Sequence, residues 1–160
     1  MTTQELQNKL KEEGVPENMY LTEKEKIKFC LMIAEKAAEY LDNKEAKALI
    51  ELALKRSWEW VENKCDIAEE LYNYLDNEEN GFTTLQERET DERSAAAWNC
   101  IIDAIAFVCK SAYLEAGKKY LPEPIELVDD DIIDHMIESF LLCNGGDESQ
   151  VEKLYIQSLI

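Results

Sequence analysis

The sequence predicts an all-α fold: one domain, residues 1–160, of about seven helices around a long apolar central one. Apolar residues recur at three- and four-residue spacing, with no convincing alternating run. Ala, Leu, Glu and Lys dominate, and only 5 Gly and 3 Pro interrupt the 160 residues. No internal repeat or long linker divides the chain. A domain of this length can bury a real core without disulfide staples.

The first helical segment covers about 3–13, with Leu6 and Leu10 on one face and Gly14 as its stop. The second opens at Thr22, where Glu25 three residues on completes a capping box. Its stripe is Ile27, Cys30, Leu31, Ala34, Ala37, Ala38 and Leu41. Asp42-Asn43 separates it from a third helix, about 44–63, faced by Ala46, Leu49, Ile50, Ala53 and Trp60. Leu52 and Trp58 widen that face, which predicts cover on more than one side. Asp66 with Glu69 is expected to cap a short fourth helix carrying Ile67, Leu71, Tyr72 and Leu75.

An acidic loop, Asp76 to Gly81, leads to the longest helix, beginning near 85 or 91 and closed by Gly117. Ala95 to Val108 is almost wholly apolar, so this helix is expected at the centre. Pro122 and Pro124 predict an extended connector from Tyr120 to Val128. Asp129, Asp130 and Asp131 head the sixth helix, where acids suit the positive end of the helix dipole. Asp147 with Gln150 caps the last, which carries Val151, Leu154, Tyr155 and Leu159.

Charge is uneven. The chain holds 35 acids and 17 bases, a net of −18. Residues 1–64 are nearly balanced, with 13 acids and 11 bases, whereas residues 65–160 hold 22 acids and 6 bases. Most of the excess falls in 65–93 and 121–160. This argues against binding nucleic acid, which needs a surplus of Lys and Arg on a face. It argues equally against an anionic membrane surface. Charge counts fit both a solvated surface and a docking face for a basic partner. The polar N-terminus has no basic flank leading into an apolar core, unlike a secretory signal. Five widely spaced cysteines with no CxxC pair argue against a disulfide framework or zinc site and fit a reducing cytoplasm.

No catalytic constellation emerges. Residues 76–87 place Asp76, Glu78, Asn80, the Phe82 carbonyl, Thr84 and Glu87 at EF-hand ligand positions, with Gly81 in register. Glu at position 3, Thr83 at position 8 and the lack of a second loop favour an acidic turn instead. Glu89 with Glu92, and Glu126 with Asp129, mimic the two carboxylate pairs of an all-helical Mg²⁺-dependent pyrophosphohydrolase. Glu126 follows two prolines and is expected outside a helix, so the second pair would not share a helix face. His135 is the single imidazole and reads as structural or exposed. Trp58 and Trp60 project about 200° apart, so both cannot face one core, and Trp58 is a candidate interface anchor.

Several strings occur in series: Ser57-Trp58-Glu59-Trp60-Val61-Glu62, Leu71-Tyr72-Asn73-Tyr74-Leu75-Asp76-Asn77-Glu78-Glu79, Ala95-Ala96-Ala97-Trp98 with Ile101-Ile102-Asp103-Ala104-Ile105-Ala106, Ala112-Tyr113, and Lys119-Tyr120-Leu121-Pro122-Glu123-Pro124-Ile125-Glu126. Over roughly residues 20–140 they resemble the all-helical immunity family numbered six of bacterial polymorphic toxin systems. The resemblance implies a cytoplasmic antidote that binds and blocks a cognate toxin domain, often a nuclease, without catalysis, cofactor or metal. It fixes no binding residue. The acidic distribution suggests a face containing Asp76, Glu78, Glu79, Glu89, Asp91, Glu92, Asp129, Asp130 and Asp131, with Trp58 as a desolvated anchor against a basic toxin face. The alternatives are another acidic adaptor or a divalent-metal-dependent helical hydrolase.

Overall fold

A computed structural model describes residues 1–14 and 20–160. Within them are nine helices and no strand: α1 Thr3–Glu12, α2 Glu23–Ala38, α3 Lys44–Asn63, α4 Ala68–Leu75, α5 Phe82–Glu87, α6 Glu92–Glu115, α7 Glu123–Glu126, α8 Asp131–Cys143 and α9 Glu148–Ser158. The central helix is α6. It packs most extensively against α2 and α8, then α4, and also meets α3, α5 and α7. Thirteen of its 24 residues are buried, which an amphipathic surface helix could not manage. By length and composition α6 could cross a bilayer, but 67% of its most apolar stretch is enclosed by the other helices, as in a core helix. Buried side chains from all nine helices join one hydrophobic cluster.

Polar contacts fix the directions. Arg93 Nε at the start of α6 donates to the Cys143 carbonyl at the end of α8, 2.5 Å away. Near the other end, Lys110 Nζ donates to the carbonyls of Glu126 and Val128, just before α8. The two helices therefore run antiparallel. α2 also opposes α6: Lys26 near its start bonds Asp130, and Tyr40 beyond its end lies under Arg93. The Thr22–Glu25 capping box forms reciprocally, and Asn43 accepts from the Glu45 and Ala46 amides to start α3. Tyr155 of α9 meets Phe29 of α2 edge-to-face, with ring centroids 5.4 Å apart.

Some sequence expectations change. Of the two starts expected for the longest helix, the one at 91 forms. Asp91 accepts from the amide and hydroxyl of Ser94 and caps α6, which leaves Phe82–Glu87 as a separate short helix. The expected extended connector holds a helical turn, α7. Proline suits a first helical turn, where its missing N–H has no partner to lose, and Ile125 is drawn into the core at 1% exposure. Glu126 is therefore helical. Asp66 does not cap α4; Ile67 stands at the N-cap without a side-chain bond, and Asp66 lies 3.7 Å from Lys118 Nζ. At α9, Asp147 accepts from Ser149, but Gln150 takes the Asn144 amide rather than closing a box. Asp130 stands at the N-cap of α8 with no side-chain bond to the helix.

Candidate docking surface

The loop from α4 to α5 carries the first acids. Within it, the Asp76 carboxylate accepts the Tyr72 hydroxyl at 2.9 Å, and Asn77 Oδ1 accepts the Glu79 amide. The Gly81 amide donates to the Asn77 carbonyl, and the Thr83 hydroxyl to that of Leu75. These bonds close the loop on itself. Phe82 then enters the core with no exposed surface and lies against Trp98. Residues 82–87, positions 7 to 12 of the EF-hand pattern, coil into α5.

The remaining acids of this end divide by role. Glu89 accepts the Trp98 indole N–H at 3.2 Å, and Asp91 caps α6. Glu78, Glu79 and Glu92 are exposed and form no ion pair among the described residues. Glu89, Asp91 and Glu92 thus stand at the start of α6, and Asp76, Glu78 and Glu79 belong to the α4–α5 loop, which Phe82 holds against Trp98. Asp129, Asp130 and Asp131 do not join them. They border a cleft of about 470 Å³ near the other end of α6, with Phe107, Lys110 and Leu114. Asp130 there pairs with Lys26 at 2.8 Å, and Asp129 Oδ1 accepts the Asp131 amide. Eighteen residues separate Glu92 from Lys110 along α6, about 27 Å at 1.5 Å per residue. The nine carboxylates are therefore two groups, because α8 runs back along α6 and places its first turn at the far end.

The same separation bears on the paired-carboxylate reading. Glu89 with Glu92 lies at one end of α6, and Glu126 with Asp129 at the other. The two pairs cannot share one metal ion across that distance. Among the described residues, no three His, Cys, Asp or Glu side chains converge as metal ligands.

Trp58 is half-buried, and its indole N–H donates to Glu35, which ties α3 to α2. Trp60 is the buried member of the pair, with Lys64 Nζ 3.7 Å from its ring centroid. His135 Nδ1 lies 2.5 Å from Asp103 Oδ2 on the outer side of the α6–α8 contact. Burial pushes the Asp103 carboxyl above its ordinary value, and the His135 bond pulls it back in part. Burial likewise pushes the Cys109 thiol up to about 12 and the Cys30 thiol higher still. Such groups are poor nucleophiles.

Sequence reasoning overlooked an apolar groove beside the first acidic group. Leu49 and Leu52 of α3 face Leu85 of α5 across about 380 Å³, with Ala46, Ala48, Asn43, Glu45 and Asn80 completing the lining. Leu52 is 50% exposed, so α3 is uncovered on the side where a second neighbour was expected. The adjoining cleft shares Asn43, Ala46 and Leu85 and adds Asp42, Arg88 and Glu89. Leu52, off the main α3 stripe, is the sequence signal that marks this surface.

Comparison with known families adds one finding. The family model described as Immunity protein Imm6 matches residues 25–143. That stretch contains all but the first two residues of α2 and the whole of α3 through α8, including the acidic loop, the groove and the central helix. No curated protein and no solved structure matches the chain.

Proposed function

The chain belongs to the Imm6 family of immunity proteins, and from that premise we propose that it neutralises a cognate bacterial toxin by binding the toxin domain and covering its active site. Family membership is the observation that carries this reading. The acidic end of α6 supplies the physical means. Exposed Glu78, Glu79 and Glu92 stand with Asp76, Glu89 and Asp91 in a segment of 10 acids and 2 bases, residues 65–93. A toxin that acts on nucleic acid has a basic cleft for phosphate, and an acidic helical surface fits that cleft as a substitute polyanion. In this reading the protein performs no chemistry, works in the cytoplasm and relies on long-range attraction for fast capture. Asp129, Asp130 and Asp131, about 27 Å away along α6, lie outside the principal contact.

The test pairs the chain with a candidate toxin domain, sought first in the gene upstream of its own. Co-expression should restore growth to cells that produce the toxin domain. Replacing Glu78, Glu79 and Glu92 together with Lys should slow association at least tenfold at low salt and flatten its dependence on ionic strength. Failure of the wild-type chain to bind or protect refutes the immunity reading. Protection with an unchanged association rate in the triple variant removes the acidic end from it.

A further inference from the structure

We propose that the α3–α5 groove is the desolvated anchor for the toxin, taking an aliphatic or aromatic side chain from a Lys- or Arg-rich segment of the toxin domain. This rests on the immunity reading and specifies the partner's chemistry. Leu49, Leu52 and Leu85 form an apolar strip open to solvent, and Leu52 leaves half its surface uncovered. Interfaces place such a strip at the centre and polar groups at the rim. Here the rim is acidic: Asp42, Glu45 and Glu89 line the two joined clefts, against the single base Arg88. Glu78 and Glu79 directly precede Asn80 at the groove's edge. Apolar side chains with more acids than bases beside them fit a cationic segment that carries one large apolar residue. A second copy of this chain is a poor occupant, because two molecules of net charge −18 would press like-charged rims together.

The groove also explains a division of labour. The exposed carboxylates govern how fast the partner arrives. The leucines govern how long it stays, because a side chain withdrawn from water must be rehydrated on leaving.

The experiment measures binding of the same toxin domain to Leu52→Glu and Leu85→Gln, with Leu114→Glu as control. Leu114 is 60% exposed at the opposite end of α6 and matches Leu52→Glu in charge. Circular dichroism and the melting temperature establish that each variant folds. Leu52→Glu should weaken affinity at least tenfold, mainly through faster dissociation, and Leu85→Gln should act in the same direction. Leu114→Glu should bind within a factor of two of wild type. Toxin binding by wild type with unchanged dissociation in folded Leu52→Glu overturns the groove and leaves the immunity reading standing. An equal loss in Leu114→Glu assigns the effect to added charge and also overturns it. A wild-type dimer that Leu52→Glu dissociates, with toxin affinity unaltered, makes the groove a self-contact and overturns it. Absence of any toxin binding by wild type removes both readings together.

Discussion

Phe82 holds the acid-bearing segment to the core, and its removal should be costly. It is the one buried residue of α5, fully enclosed, with ring centroids 5.3 Å from Trp98 and 5.9 Å from Tyr74. Truncating a buried Phe to Ala costs about 3–5 kcal/mol, through lost transfer energy and the cavity left behind. Two aromatic neighbours place Phe82→Ala near the middle of that range, about 4 kcal/mol. For a domain of this size that corresponds to a melting temperature lower by roughly 8–16 °C. Phe82→Leu refills most of the space and should lose about 1 kcal/mol. Guanidinium unfolding followed by far-UV circular dichroism measures both, avoiding tryptophan fluorescence because Trp98 adjoins the mutation. Equal stabilities for the Ala and Leu variants, or a loss below about 1 kcal/mol in Phe82→Ala, would refute the claim that Phe82 is an anchor.

Three other outcomes follow from particular contacts. A methyl group on Gly81 would lie 2.7 Å from the Asn77 carbonyl oxygen and closer still to the Asn77 amide nitrogen, so Gly81→Ala should destabilise by about 1–3 kcal/mol in urea unfolding; no loss would mean the loop shifts freely. Burial raises the Asp103 carboxyl, so the folded chain keeps that proton to higher pH than the unfolded chain, where the value is about 3.9. Its stabilising contribution is complete below the unfolded value and is lost as pH rises through the folded one. Asp103→Asn should therefore gain on wild type across that interval, and a stability difference independent of pH would contradict the dominance of burial. Finally, Cys65 is only half-buried whereas Cys30, Cys100, Cys109 and Cys143 are buried. A thiol reagent should modify one cysteine rapidly in the native protein and all five in denaturant, and two rapid thiols would show that a buried site opens readily.

Much of the architecture can be read locally. The start of α2 follows from Thr22 and Glu25, and α3 from Asn43, because caps depend on residues within one turn. The centrality of α6 follows from its apolar circumference. The α5–α6 break is harder to read, because residues 85–93 contain neither Gly nor Pro and look continuously helical. Only Asp91 with Ser94 marks the restart. Pro122 and Pro124 fit both an extended segment and a first helical turn, and burial of Ile125 decides between them. The acid counts by window were legible, but their division into two groups was not. That depends on α8 running antiparallel to α6, which no local pattern encodes. The groove escaped for a similar reason: whether Leu52 is covered depends on where α5 stops.

The arrangement of α1 and α9 bears on how this protein can be trimmed. Both lie outside the stretch that matches its family, yet Leu6, Leu10, Val151, Leu154 and Tyr155 are buried. Gln7 donates to the Tyr155 hydroxyl, and Lys9 pairs with Glu152. A clone cut to the shared region would strip the edge-on ring from Phe29 and bare a side of α2. The packed core is therefore longer than the matched stretch, and α1 and α9 meet each other as a clasp over it.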